Sequence, residues 1–546
     1  MHISKEKRPL AIVIIVALLL LVGLASVFLI LNFSYAHTDA LHAVEIAVTN
    51  KSRGRGYNAE EYMMARQRLL SKEQRRALGA WLQLSEKESV LNEILLHEKK
   101  EIMEKSRLDR LTYTPALSFF KSKEWMENTT TFKIIRKMPK GAALHLHTTA
   151  MTSLDWLVKN ITYREHVYTC VDKDGFALLS AFLHPPNDTE CQWKPVSEER
   201  AEAPSSDKFD EELRKNLSFL IPDPLTAYSG TNQAWDRFNK YFKQVGSLLI
   251  NAPIMQDYFR QALQEFWEDN VQYIEWRGGV RGYKEINGTV HDAVYGAEMF
   301  KKVVEEFVAQ HPDFMGAKMI ISGVRYRSEQ TIEDHVKLAT LMHRQYPNFI
   351  LGYDLVGQED PLNPLLFYLD ALLYPTRQSL DDALPYFFHA GETKWEGTDV
   401  DENLLDALLL NTTRIGHGYA LAKHPELADL VRSRGIAVEV NPISNQLLGL
   451  VSDLRNHAIV PLLADDFPLV ISSDDPAAWE ALPLTHDFFV AFMDLSGQDM
   501  GLGFLKQLAI NSLKYSALDN YDKEAALGLW ESKWNKFVKE AVAEFS

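Results

Sequence analysis

Only two cysteines, Cys170 and Cys191, occur in 546 residues. That is too few for a disulfide-built scaffold or a cysteine-rich zinc module, although the two could form one bridge. Positive charge is also in deficit, with 58 Lys and Arg against 74 Asp and Glu and a formal charge of −16. A nucleic-acid partner is thereby excluded, because such affinity rests on clustered cations that neutralise phosphates. Compositional bias is missing as well. With 46% hydrophobic and 24% charged residues the chain is neither disordered nor collagen-like, and it is long enough to bury one large core with additions. No Lys or Arg stands between Arg8 and Lys51.

That gap contains a long apolar run, Leu10 to Phe33, sufficient to cross a bilayer at ~1.5 Å per residue. Lys5, Lys7 and Arg8 precede it. The positive-inside rule therefore makes residues 1–36 a cytosolic tail with a membrane anchor or signal segment, and places the remainder outside the cell or in a lumen. Ser34-Tyr35-Ala36 resembles a small-residue cleavage site, so a secreted protein and a type II anchored one both stay open. Either route leads to an oxidising compartment, where Cys170 and Cys191 should pair. Asn50, Asn128, Asn160, Asn187, Asn216, Asn287 and Asn411 head N-x-S/T triplets without proline, the glycan acceptors expected there.

Residues 37–135 are read as a helical region, since from Tyr57 to Leu111 proline is absent and apolar residues such as Leu91, Ile94, Leu95 and Ile102 recur at helical spacing. Such an appendage needs its apolar face covered, by the main domain or by a second subunit. Residues 136–540 carry a serial pattern. Short β-prone runs at Ala142–His147, Val271–Trp276, Ala317–Ser322, Ile350–Leu355, Tyr386–His389, Arg414–His417, Ala437–Asn441 and Leu469–Ser472 alternate with helical stretches. Eight such runs predict an α/β protein of the (β/α)₈ barrel type. Residues 168–230 interrupt the pattern with Pro185-Pro186 and a charged stretch, and are expected to form an inserted subdomain.

Reactive residues gather at the C-terminal ends of these runs, the face on which such barrels carry their active sites. His145-Leu146-His147 ends the first run, and residues i and i+2 of a strand share a face. His389-Ala390-Gly391-Glu392 ends the fifth, His417 the sixth, and Asp474-Asp475 follows the eighth. A pair of buried carboxylates at a strand end is costly unless a cation is present. Three His and one Asp suit Zn²⁺ with a position left open for water.

The segments MPKGAALHLHTTA (138–150), DLVGQED (354–360), FFHAGET (387–393), TTRIGHGYAL (412–421), VNPISNQLL (440–448) and ISSDDPA (471–477) resemble those of the adenosine deaminase superfamily. The helical N-terminal region, the extended HAGET motif and the Cys-bracketed insertion resemble its extracellular, growth-factor-related branch more narrowly. The resemblance implies one zinc held by His145, His147, His389 and Asp474. It implies that Glu392 protonates the purine N1, that His417 orients the attacking water and accepts its proton, that Asp475 meets N7 and that the Gly357 N–H meets N3. Trp235 and His291 are further candidates for contact with the nucleoside. The implied reaction converts adenosine or 2′-deoxyadenosine to inosine or its deoxy form and ammonia, and the implied assembly is a homodimer through the N-terminal helices.

The resemblance breaks at Thr148-Thr149-Ala150, where the branch carries an acidic residue just after the second His. Losing a hydrogen bond from a charged group costs about 1.5–3 kcal/mol, so reduced activity is expected, and Thr148 joins the substrate-side candidates. A catalytically weak ligand that uses the barrel as a scaffold for a receptor or glycan is the alternative reading. A cytidine-type zinc deaminase is excluded, since its P-C-x-x-C signature is absent.

Overall fold

The computed structural model describes residues 58–109, 113–186, 191–221, 227–228, 230–279, 281–378 and 383–546. The apolar run, Asn50 and Asn187 lie outside them. Among the described residues no helix is long and apolar enough to cross a membrane.

The strands follow the order of the apolar runs: β1 Gly141–Ala143, β2 Val271–Gly279, β3 Gly316–Val324, β4 Ile350–Val356, β5 His389–Ala390, β6 Arg414–His417, β7 Ala437–Val440 and β8 Leu469–Ile471. Each pairs in parallel with the next, β1 to β4 in one ladder and β5 to β8 in another. Two seams close the ladders into a barrel. Tyr353 of β4 bridges Tyr386 just before β5, and Leu146 just past β1 bridges Asp474 just past β8. At the first seam a Cβ on Gly352 would lie 2.1 Å from the Pro385 carbonyl oxygen, so glycine is what lets the backbones approach. Burial of nearly every residue in β2 and β3 is what parallel strands covered on both faces require. The expected (β/α)₈ architecture is the observed one.

Helices Ala252–Glu268, Ala293–Gln310 and Glu329–Gln345 flank the first ladder. Asn251, Asp292 and Ser328 cap them, each side chain accepting a backbone N–H from the first turn. Apolar stripes such as Met255, Phe259 and Phe266 are buried against the strands.

Upstream of the barrel, helix Ala59–Arg76 has no buried side chain. Helix Glu86–Leu108 opens with a capping box between Ser85 and Glu88, and it buries Leu91 and Leu95. Glu88 also accepts from Lys506 Nζ at 2.6 Å and Trp534 Nε1 at 2.8 Å. These belong to the closing helices Leu502–Lys514 and Asn520–Phe545, so this helix's apolar face is covered within the chain. Between β1 and β2, strands Val167–Val171, Ala177–Ala181 and Lys194–Pro195 form an antiparallel sheet followed by helices Val196–Glu202 and Ser206–Leu217. The Cys170–Cys191 disulfide ties this insertion together. Helix Thr231–Gly246 then spans the barrel mouth, from Asn232, bonded to Gln358 beyond β4, to Tyr241, bonded to the Thr149 carbonyl beyond β1.

Candidate metal centre and active site

The second seam assembles the site. The Asp474 N–H donates to the His145 carbonyl at 3.1 Å, and the His147 N–H donates to the Asp474 carbonyl at 3.2 Å, which zips the ends of β1 and β8 together. On the other side, His389 pairs with Gly416 and Ala390 with His417 across β5 and β6. One ligand atom from each of His145, His147, His389 and Asp474 lies within 4.8 Å of all the others. Two of the site residues hold left-handed backbones, His417 at φ +60° and Asp474 at φ +61°. Such a conformation costs a non-glycine residue about 1–3 kcal/mol and persists only where its surroundings dictate it.

Hydrogen bonding decides what this cluster can hold. His145 gives its Nδ1–H to Glu439 Oε2 at 2.7 Å, and His389 gives its own to Asp354 Oδ2 at 2.7 Å. Both rings therefore present bare lone pairs at Nε2, and those two nitrogens stand 3.1 Å apart. Asp474 Oδ1, 3.0 Å from His147 Nε2 and 3.3 Å from His145 Nε2, is buried and makes no hydrogen bond. Converging lone pairs and an orphaned carboxylate oxygen repel unless a cation lies among them. Burial also pushes the His389 pKa down to about 4, which keeps the ring in its ligating form. The donor set fits a divalent metal ion.

Arg277 organises the layer beneath, donating through Nε to Asp354 at 3.0 Å and through Nη2 to Glu439 at 2.6 Å. Arg414 bonds Glu439 at 2.6 Å and Glu275 at 2.5 Å. Burial alone would raise the Asp354 and Glu439 carboxyls. The His389 ring and Arg277 overcome it at Asp354, and Arg277 with Arg414 at Glu439, holding both well below the usual carboxylate range.

Glu392 is the opposite case. Its backbone N–H donates to Glu359 Oε1 at 3.0 Å, while burial, then the charges of Asp474 and Glu359, push its carboxyl well above the usual range. Its Oε1 lies 3.5 Å from His417 Nδ1. Burial pushes the His417 ring well below its ordinary value, so the two shifts favour an acid beside a neutral imidazole. Asp475 is raised in the same way, by burial and the adjacent Asp474 charge, and its Oδ1 has no hydrogen-bond partner.

The remaining candidates divide. Gly357 follows β4 at φ +106°, a conformation that favours glycine. Trp235 lies on the mouth-spanning helix, buried edge-on against Phe238, which stacks on Trp479. His291 sits apart in the Tyr283–Lys284/Val290–His291 hairpin, bonded to Glu285 at 2.9 Å and stacked on Tyr295. Thr148 is buried and donates its hydroxyl to the Arg277 carbonyl at 2.7 Å, whereas Thr149 is partly exposed. Asn128, Asn160, Asn287 and Asn411 are exposed; the half-buried Asn216 amide is bonded to Ala177, Gly175 and Gln244.

Sequence reasoning missed Asp354, Glu439 and Arg277, which orient the rings, and Arg325, whose guanidinium bonds the His389 carbonyl. It also missed Asn445 and His457 behind His417. A charged residue facing into a strand-built core was the available signal for the first three.

Fold and site together define a class, the (β/α)₈ hydrolases whose mouth is built to hold a metal ion. Comparison with known proteins narrows it. A family profile described as adenosine deaminase matches residues 215–529, and another, adenosine/AMP deaminase N-terminal, matches residues 17–135. Adenosine deaminase 2 of Homo sapiens is 40% identical over 482 residues, covering 88% of this chain and 94% of that one. Adenosine deaminase of Phlebotomus duboscqi is 40% identical over 509 residues, covering 93% of this chain and 96% of that one. The N6-methyl-AMP deaminase of Arabidopsis thaliana, at 17% identity and a TM-score of 0.50, covers 74% of this chain and 99% of its own and shares the fold. The chain belongs to the adenosine deaminase family.

Proposed function

We propose that this protein is a zinc-dependent enzyme that hydrolytically deaminates adenosine, and 2′-deoxyadenosine, outside the cell. The observation that carries the reading is the buried Glu392, its carboxyl pushed well above the usual range, beside His417 and a donor set of three imidazole nitrogens and Asp474.

His145, His147, His389 and Asp474 would hold one Zn²⁺ per subunit. When bound, such an ion acidifies a coordinated water and makes a nucleophile available at neutral pH. Every other step falls to the chain. Glu392, its carboxyl pushed upward by burial, gives its proton to the purine N1, which withdraws electrons from C6 and opens it to addition. Asp475 carries a proton for the same physical reason and donates to N7, an acceptor. The Gly357 N–H donates to N3. His417 stands between Glu392 and Asp474 and orients the nucleophile. Water adds at C6; of its two protons one leaves with the amino group as ammonia and the other restores the Glu392 carboxyl, while the proton on N1 stays in the hypoxanthine ring of inosine.

Twin carboxyls kept neutral explain the preference for a purine, which offers acceptors at N1, N3 and N7. A scaffold that binds a receptor or glycan gains nothing from burying Glu392 without a cation, and that reading is not favoured. The Cys170–Cys191 disulfide and the exposed sequons support an extracellular setting, secreted or anchored, and a homodimer through the N-terminal helices completes the proposal.

The test is the fall in ultraviolet absorbance as adenosine becomes inosine, with zinc content measured on the same sample. Adenosine is expected to be consumed, and Glu392→Gln is expected to lose about 10²- to 10⁴-fold in kcat with zinc retained. A zinc-loaded ectodomain that leaves adenosine, deoxyadenosine and adenine intact would overturn the reading.

A further inference from the structure

His417 is held from behind by a chain of side chains that reaches a backbone amide. Its Nδ1 lies 3.0 Å from Asn445 Nδ2, and Asn445 Oδ1 lies 3.0 Å from His457 Nε2. The His457 Nδ1 in turn accepts from the Ile459 backbone N–H at 3.1 Å. All three side chains are buried, and Tyr419 packs edge-on against the His457 ring.

A backbone N–H can only donate, and that fixes the polarity of the whole chain. It makes His457 Nδ1 an acceptor. Burial pushes the His457 pKa down to about 3, so the ring is neutral and its single proton sits on Nε2. That N–H needs an acceptor, which sets the Asn445 oxygen toward His457 and its amide nitrogen toward His417. The reverse amide orientation would press N–H against N–H. His417 Nδ1 must then accept, leaving the ring's one proton on Nε2, the nitrogen 3.8 Å from Asp474 Oδ2.

We propose that Asn445 and His457 are positioning residues that hold His417 in the tautomer with its proton on Nε2, facing Asp474 and the place of the nucleophile. The proposal rests on the functional reading above, in which His417 borders the reacting atoms. It changes what His417 offers there. The resting ring presents a donor, which orients the nucleophile by hydrogen bonding, instead of the lone pair that acceptance of the water's proton requires.

The test uses the zinc-loaded protein labelled with ¹⁵N-histidine, the His417 ring signals being assigned by their loss in His417→Asn. The wild-type ring is expected to carry its proton on Nε2, and Asn445→Asp, whose carboxylate only accepts, is expected to move it to Nδ1. That variant should lose about 10- to 100-fold in kcat with KM and zinc content unchanged. His457→Asn removes the donor to Asn445 and should lose a similar factor. His457→Gln, whose amide nitrogen reaches the same point, should recover most of it. A wild-type proton on Nδ1, an unimpaired Asn445→Asp, or equal activity in the two His457 variants would each overturn the proposal. The ring spectra are read without turnover. An Nε2 proton in an enzyme that leaves adenosine intact would sink the deaminase reading while supporting the relay.

Discussion

Inside the barrel, Glu275, Asp354 and Glu439 lie among the guanidiniums of Arg277 and Arg414, whereas Glu392, Asp474 and Asp475, nearer the mouth, face one another. Burial does not distinguish the groups, for all six carboxyls are nearly inaccessible. What differs is direct pairing with arginine, which the first three have and the second three lack. Paired with arginine, Asp354 and Glu439 stay anionic and grip the Nδ1–H of a metal-site ring. With no arginine bonded to them, Glu392 and Asp475 have carboxyls that burial and neighbouring carboxylates push upward, toward the protonated form a donor needs. Asp474 differs again, since its Oδ1 has no hydrogen-bond partner and faces the ring nitrogens of His145 and His147, an arrangement that a cation among them would satisfy. One barrel thus uses the same side chain as a frame in one layer and as an acid in the next.

Removing the cation from the upper layer should have the largest effect. Chelation is expected to abolish deamination and to lower Tm, because the ring nitrogens and Asp474 then face one another uncompensated, and added Zn²⁺ should restore both. A stripped protein with an unchanged Tm would mean that the cluster tolerates its own repulsion.

Glu439→Gln attacks the lower layer. It leaves Arg277 and Arg414 short of a buried anion and should cost about 3–5 kcal/mol of stability by denaturant titration. The pH dependence carries a sign. The folded Glu439 pKa lies below its unfolded value of ~4.3, so its contribution is present above that pH and is lost as pH falls toward the folded value. Wild type and variant should therefore differ by a constant amount from pH 7 to pH 5 and converge below. Asp475→Asn is the counterpart in the upper layer. There burial and the adjacent Asp474 push the carboxyl toward its neutral form, so the exchange is nearly isosteric and should cost less than about 1 kcal/mol, while kcat/KM falls about 10- to 100-fold through the altered contact to N7. Equal stability losses in the two variants would erase the distinction between the layers.

The upper layer was legible in the sequence and the lower one was not. His145-x-His147, His389, His417 and Asp474-Asp475 announce themselves because reactive residues at the ends of apolar runs have no other reason to be there. Asp354 and Glu439 lie within β-prone runs and Arg277 directly after one, and the sequence offers no hint of which distant cation will meet which anion. Asn445 and His457 were hidden for a different reason, since a relay depends on the direction of a backbone N–H that composition cannot reveal. The barrel itself was readable because parallel strands buried on both faces leave uninterrupted apolar runs. Closure was not, as it depends on single bridges at Tyr353 and Leu146.

The smallest effect concerns the departure at Thr148-Thr149. The sequence alone places the missing acid at 148, and Thr148→Asp should then raise kcat/KM. The structure turns Thr148 inward, with its hydroxyl donating to the Arg277 carbonyl, so an aspartate there would set a carboxylate against an acceptor and leave it without a donor. Thr149 is partly exposed beside His147, under the helix that spans the mouth, and an aspartate there can reach the substrate side. Thr149→Asp is therefore expected to raise kcat/KM by about 10-fold, the value of one charge-assisted hydrogen bond, while Thr148→Asp lowers both activity and Tm. The reverse order of the two variants would place the substrate on the other face of this turn, and would assign Thr148 the contact that the buried geometry denies it.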